Sequence, residues 1–565
     1  MKKKSDITSV YLLFLVYSVI FTCFSYFAIN VGDQQHDYAY HLARLVGLAQ
    51  SIQNGDFLPN LNFVFAQGAG YASPMFYGNW QFYLPALFFM FTKYATVSYA
   101  FLIFVIIFLT TSLSYYACHK ISGNQVKSAI FAFLVSLSFP WFGYGMTMAV
   151  MFVALLFYSL YKVIYLEETN PILLGVTAAL LIQTHILSTI ILAIYALFFI
   201  LLNIKKLNVA KIISFVASAF LGLILSAGFI LQYFEQVSSQ TLFVSWTLRD
   251  FPFPTQALVS PSTLFNFLLN YDKPVILILL IVLIVNFKKF TLFSKQLLII
   301  SILMFVMQSN ILPWDSLLRH TFLATIQDTR RLVFFVPVLI LMVVIMESSK
   351  ELGYKLLMLQ SVFYISTSLL YYLPTSNNLS IMRNFNALAI NSETNPTASW
   401  FDTSGDEYFN INFNHEASRN GSLSHFENSN NLDISNVKTA YNNLEFDATV
   451  TDATSSASVV IPRIWYKGYV VEYSKGASGN NPEIKYVKLT DKEIENNKSL
   501  AKPVDVKKAE YNGKIYLNIK TSGHVKIYYK KTMSQLLGYS IEATSWLFII
   551  GFVVFSRKRK MMSND

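Results

Sequence analysis

Cysteine, charge and low-complexity sequence are all scarce in this chain, and each scarcity excludes something. Only two cysteines occur in 565 residues. Cys23 lies in the first apolar run and Cys118 at the end of another, so neither a disulfide nor a cysteine-ligated metal is expected. Charged residues make up 13% of the chain against 54% hydrophobic, with a mean hydropathy of +0.45. An ordinary soluble globular protein does not have that balance. No repeat of fixed period and no low-complexity tract is found. The opening MKKKSD precedes an apolar run with no small-residue cleavage site, so residues 10–29 read as a retained first span.

What is present is a long series of apolar segments, each enough, or nearly so, to cross roughly 30 Å of hydrocarbon. Spans are expected at 9–29, 96–118, 128–142, 145–165, 171–187, 188–203, 211–233, 273–288, 296–309, 331–347, 355–373 and 537–555, about twelve in all. Placing the N-terminus inside puts Lys120, Lys127, Lys162, Lys205, Lys206, Lys211, Lys288, Lys289, Lys295, Lys350 and Lys355 in inner loops, and SRKRK at 556–560 on the same side. The net charge of +11 is then an orientation signal with attraction to anionic membrane lipid, and nucleic acid is not needed as a partner.

The outer segments are 30–97, 234–272, 310–330 and a large insertion at 374–535. The stretches ASVVIPRIW, YVVEYSK, EIKYVKL, KIYLNIK and HVKIYYK in that insertion alternate with a two-residue period, which predicts a small antiparallel β-sandwich. The domains expected are thus 1–373 in the membrane, 374–535 as a β-rich domain outside it, and 536–565 as a last span with a basic tail.

The first outer segment carries INVGDQQHDYAYHLARLVGLAQSIQNGDFLPN, which gathers Asp33, His36, Asp37, His41 and Arg44. The spacing of Leu42, Leu45, Val46, Ala49 and Ile52 predicts an amphipathic helix lying at the outer interface, with Asp37 as N-cap and Gly55 as stop. Asp37, His41 and Arg44, at i, i+4 and i+7, share one face. Other ionisable residues fall at outer span ends or outer loops: His185, Glu235, Arg249, Asp250, Asp315, Arg319, His320, Asp328, Arg330 and Arg331. Charges of both signs near hydrocarbon point to a charged ligand. A carboxylate beside an imidazole suits proton abstraction, and arginines suit a phosphate. Each residue also has a plain structural role open to it: Asp37 as a cap, His41 and Arg44 as a solvated helix face, His185 as a span-end histidine, Arg330 and Arg331 as membrane anchors.

The order G-D-x-x-x-D-x-x-x-H-L-x-R at 32–44, then NGDFLP, GAGYASPMFY, QTHILS, LSAGFILQYFEQ, LPWDSLL, TIQDTRRLVFF, GDEYF and IPRIWYKGY, resembles the GT-C-type (YfhO-like) polytopic membrane glycosyltransferases of Gram-positive envelopes. The resemblance covers most of the chain. It implies a GT-C-like helical membrane domain in the bacterial cell membrane, both termini cytoplasmic, with the active site and β-domain outside. It also implies a polyprenyl-phosphate-linked sugar as donor and an envelope glycan or teichoic acid as acceptor. By matching position, Asp37 would be the acidic residue of the first outer loop, with His41 and Arg44 beside it and Arg330 or Arg331 near the lipid phosphate. The candidate catalytic residues are thus Asp37, His41 and Asp33, and the candidate substrate-binding residues Arg44, His185, Glu235, Gln327, Arg330 and Arg331. The stretch FPWFGYGMTMAVMFVALL, 139–156, lacks the arginine and acidic residues that such relatives carry there. No nucleotide-binding fingerprint occurs in the inner loops, which argues against a sugar-nucleotide donor. A divalent cation at Asp33, His36 and Asp37 stays open, since that spacing is unspecific. So do two other readings of the whole chain, a flippase for a lipid-linked saccharide and a non-catalytic envelope scaffold.

Overall fold

The computed structural model describes residues 2–24, 37–63, 65, 69–139, 142–242, 283, 285–372, 407–410, 413, 426–452, 454–455, 457–474, 476–482 and 513–562. The chain is mostly helical with a separate β-sheet region. Four described helices are long and apolar enough to cross a membrane: Ala95–Ser122, Gly145–Tyr165, Thr329–Glu347 and Met533–Ser556. A fifth is added if Val209–Ile224 and Ala227–Ser239 count as one span, although the helix breaks at Leu225 and Ser226 between them. The spans expected at 128–142, 171–187, 188–203 and 296–309 are helices of only 13 to 17 residues, and most of 273–288 lies outside the described residues. Several helices are therefore compatible with membrane insertion, while twelve full-length spans are not what the described helices present.

By its internal contacts the chain divides into two compact units. One comprises Met1–Tyr38, Thr96–Ser226 and Thr247–Asn384; the other comprises Ala39–Ala95, Ala227–Trp246 and Phe385–Asp565. This division differs from the sequence-based one, because it joins segments 39–95 and 227–246 to the β-region.

The first unit is built from α1 (Lys2–Thr22), then α2 (Tyr38–Gln53) by its first residue, α5 (Ala95–Ser122), α6 (Gln125–Leu137), α7 (Gly145–Ala149), α8 (Val153–Tyr165), α9 (Ile172–Thr184), α10 (Ile186–Leu202), α11 (Val209–Ile224), α13 (Leu292–Gln308), α14 (Val336–Glu347) and α15 (Lys350–Tyr372). The second unit holds the rest of α2, with α3 (Ser73–Phe76), α4 (Tyr83–Thr92), α12 (Ala227–Ser239), α16 (Met533–Met562) and the strands. Side-chain oxygens close the basic turns of the first unit: Asn124 accepts the Lys127 amide at 3.1 Å and Asn208 the Lys211 amide at 3.0 Å. Both are N-caps, which satisfy amides that no helical carbonyl can reach. Phe14 of α1 meets Tyr115 of α5 and Phe133 of α6 edge-on, each at 5.4 Å between ring centres.

In the second unit two four-stranded antiparallel sheets have the orders β1-β4-β7-β6 and β2-β3-β8-β5. The strands are β1 (Glu427–Asn428), β2 (Leu432–Ala440), β3 (Asn443–Val450), β4 (Ala457–Ile464), β5 (Tyr469–Ser474), β6 (Ser478–Gly479), β7 (Lys514–Thr521) and β8 (Gly523–Tyr529). Four of the five expected strands are present, EIKYVKL lies outside the described residues, and β1, β2, β3 and β6 are additions. Inward residues of both sheets, such as Phe446, Val459, Leu517 and Ile527, share one core with Leu61, Phe63, Phe65, Tyr71, Met75 and Phe76. The β-region's core is thus completed by the segment that follows α2. Within α2 itself, Leu42, Leu45 and Ala49 are fully buried, but so are His41, at 3% exposure, and Arg44, at 4%. Residues 40–52 of α2 are all buried and only Gln53 at its end is exposed, which corrects the expectation of an interfacial helix with a wet face.

Phe76 is fully buried and stacks on Tyr408 with 4.4 Å between ring centres. Phe76→Ala should cost roughly 3–5 kcal/mol, read by thermal melting of the full chain in detergent, and should hasten protease cleavage between β1 and β8. Unchanged cleavage there would mean that the sheets hold their core without this segment.

Candidate functional site

In the first unit the chemistry-bearing residues lie at helix breaks, and each break is tied to a neighbour by a polar side chain. The Tyr99 hydroxyl of α5 donates to the Phe142 carbonyl at 2.7 Å, holding the turn between α6 and α7. Tyr38 packs edge-on against the same Tyr99 ring at 4.7 Å. Asp37, immediately before α2, and Tyr144, immediately before α7, are therefore hung from one tyrosine.

The electrostatics place a third group with them. Burial is the main cause that pushes the Tyr144 hydroxyl above its usual pKa; the Asp37 carboxylate pushes it the same way and the Arg331 guanidinium opposes them. Asp37 and Arg331 thus each lie within electrostatic reach of the Tyr144 hydroxyl.

His185 is the single residue between α9 and α10, with extended backbone. Its Nδ1 accepts the Ser188 amide at 3.2 Å and lies 2.8 Å from the Ser188 hydroxyl. An accepting Nδ1 leaves the proton of the neutral ring on Nε2. That edge of the ring lies against Gly145, where a Cβ would stand 2.7 Å from Cδ2 and 3.1 Å from Nε2. Only glycine next to Tyr144 admits the imidazole. Farther along α10, the Tyr195 hydroxyl donates to the Leu332 carbonyl at 2.6 Å, which ties the helix that His185 begins to the turn that holds Arg331.

That turn, Thr329–Val333, is capped by Asp328, whose Oδ1 accepts the Arg330 amide at 2.8 Å. The same carboxylate takes Arg330 in a fork, with Nε at 2.9 Å and Nη2 at 2.6 Å from Oδ2. Arg331 instead donates to the Gln327 amide oxygen, and no ion pair of Arg331 is found among the described residues. Gln327 has φ +68°, a conformation that costs a non-glycine residue energy and is met most often at functional sites.

The second unit contains His41, Arg44 and Glu235. Arg44 donates through Nη2 to the Gly78 carbonyl at 2.7 Å and to Asn79 Oδ1 at 3.1 Å, and its Nη1 lies 3.3 Å from His41 Nδ1. Its guanidinium carbon stands 4.5 Å from the ring centre of Phe82 and 5.2 Å from that of Tyr77. Glu235 accepts the Thr532 hydroxyl at 2.6 Å and faces Lys467 at 3.6 Å. These are the contacts of groups packed into the unit's interior.

The structure therefore brings together Asp37, His185, Gln327 and Arg331 of the expected residues, and adds Tyr144 and Gly145. Both additions come from the stretch 139–156, whose lack of charge had left it without a role. The readable signal was Gly143-Tyr144-Gly145, a polar ring between two glycines that separates apolar runs. Asp33 and His36 lie outside the described residues, and no group of three or more metal-binding side chains occurs among the described ones. No family model matches the chain, and no curated protein or solved structure is significantly similar to it.

Gly145→Ala must displace the His185 ring, an overpacking worth about 1–3 kcal/mol. His185→Ala in the same molecule should recover most of that loss in a double-mutant cycle on melting temperature. Strictly additive losses would mean that the two residues do not touch.

Proposed function

We propose that this chain is a polytopic membrane glycosyltransferase of about twelve spans, with both termini cytoplasmic. It moves a sugar from a polyprenyl-phosphate donor to an extracytoplasmic envelope glycan or teichoic acid. The observation that supports this reading is Arg331, which has no carboxylate partner among the described residues and, like Asp37, lies within electrostatic reach of Tyr144, the neighbour of the Gly145 against which the His185 ring packs. A general base and an anion-binding cation near one another are what transfer from a sugar phosphate requires. Asp37 takes the proton of an acceptor hydroxyl as that oxygen bonds to the anomeric carbon. The bond from that carbon to the phosphate oxygen breaks, and Arg331, with the Nε2–H of His185, meets the charge that the departing polyprenyl phosphate gains.

Purified protein supplied with radiolabelled polyprenyl-phosphate sugars and envelope acceptors tests the reading. Turnover is the expected result; translocation across vesicles without turnover would identify a flippase instead, and neither would leave a scaffold. Within the active enzyme, Asp37→Asn should lower turnover roughly 10²- to 10⁴-fold at equal membrane abundance. Asn caps a helix about as well as Asp, so near-normal transfer would remove Asp37 as the base. Arg331→Gln should raise the donor KM more than it lowers kcat, because it weakens capture of the phosphate.

A further inference from the structure

Among its described residues the second unit buries the cations Arg44, Lys514 and Arg463. Lys514 Nζ lies 2.6 Å from Glu427, and Arg44 is held by the Gly78 carbonyl at 2.7 Å, Asn79 Oδ1 at 3.1 Å and aromatic faces. Arg463 differs. It is 8% exposed, its Nη1 donates only to the Pro462 carbonyl at 2.8 Å, its Nε is buried without a hydrogen bond, and it makes no ion pair among the described residues. Burial pushes its pKa down to about 10, the direction expected of a guanidinium removed from water without a counter-charge.

The backbone aims the side chain into this position. β4 and β7 pair regularly up to Ile461 and resume at Ile464, so Pro462 and Arg463 form a bulge. A bulge commonly redirects a side chain beside a site. Beyond it, the Ile464 amide donates to the Ala69 carbonyl at 2.8 Å, which fixes the bulge to the segment after α2. The guanidinium carbon stands 4.7 Å from the ring centre of Phe63. Tyr469 stacks on that ring at 6.1 Å and meets Tyr529 edge-on at 5.6 Å. Its hydroxyl is a second buried polar group with no hydrogen-bond partner, in a residue 9% exposed. Gly468 lets these rings close together: its φ is +132°, and a Cβ there would fall 2.6 Å from Tyr529.

We infer that Arg463 and Tyr469 form an anion subsite that binds the carboxylate or phosphate group of an acidic saccharide, with Phe63 as an aromatic wall. The Nε and Nη2 edge of a guanidinium is a fork that matches two oxygens of such a group. The Tyr469 hydroxyl supplies one further donor, and aromatic faces suit the C–H faces of a sugar ring. The small residual exposure of both residues places the fork just beneath the surface. The inference does not depend on the transferase reading, because it concerns other residues and its readout is binding without turnover.

The full chain in detergent is titrated by calorimetry with glucuronate and with glycerol 3-phosphate, glucose serving as the neutral control. Binding of either anion, weakened by salt and absent for glucose, is expected; which anion binds distinguishes a uronate from a phosphate ligand. Arg463→Met should weaken that binding about tenfold or more while melting no lower than the wild type, since a buried unpaired charge has been replaced by an apolar chain of similar length. Tyr469→Phe should weaken it by a smaller factor. Should Arg463→Met fail to fold, Arg463→Lys keeps the charge but loses the fork and should still bind several-fold more weakly. Failure of both anions to bind, or equal binding by a folded variant at Arg463, overturns the inference.

Discussion

The first unit depends on a single constraint: where an apolar helix breaks, its freed backbone groups must find partners without water. Polar side chains from neighbouring helices, or from the turn that follows the helix itself, meet that need. Tyr99 serves the Phe142 carbonyl, Tyr195 the Leu332 carbonyl, Gln183 the Leu225 carbonyl at 2.9 Å, and Trp314 the Met307 carbonyl at 2.7 Å. Each contact locks a break in place, and the breaks are where Tyr144, His185 and Arg331 stand. Apolar packing fills the space between helices, while these few directional bonds decide which breaks face one another. Precise placement of the side chains at those breaks follows from them, since a hydrogen bond constrains angle as well as distance.

The second unit solves a different problem, which is to join segments far apart in the chain. Its links are mainly uncharged amides and hydroxyls: Asn60 donates to Gln232 at 2.7 Å and to the Tyr539 hydroxyl at 2.9 Å, Gln236 to the Lys467 carbonyl at 2.9 Å, and Asn410 to Gln240 at 3.0 Å. The Gly228 amide of α12 donates to Glu542 of α16 at 2.9 Å, and Gly538 comes close enough to the Ala227 carbonyl that a Cβ would stand 2.9 Å from it. Neutral partners avoid the large desolvation cost of buried ion pairs, so the exceptions stand out. Arg44 is met by carbonyls and aromatic faces, whereas Arg463 has one carbonyl and one ring.

Charge pairing also separates residues that the sequence presents as equivalent. Arg330 and Arg331 are neighbours with the same chemistry, yet a tight turn puts Arg330 on the Asp328 carboxylate and leaves Arg331 with an amide. Position along the chain carries no information about this. The rotation of a residue within the turn does.

The sequence by itself determined that the chain carries apolar helices long enough to cross a membrane, four of the strands, and a helix break close to His185. These follow from composition and from local periods, which report what each segment must bury. It did not reveal β2, where the residues after Leu432 are exposed or half-exposed, Asn436 takes φ +53°, and a bulge interrupts the register after Ser435, so the two-residue signal is lost at a sheet edge; nor did it reveal β3, although its burial alternates residue by residue. Nor did it reveal that residues 40–52 of α2 are all buried, or that Phe63 and Phe76 complete the core of the β-region. Only the tertiary structure decided those points, and the nearness of Asp37 and of Arg331 to Tyr144, because a local period shows that a face needs covering but not which distant segment covers it.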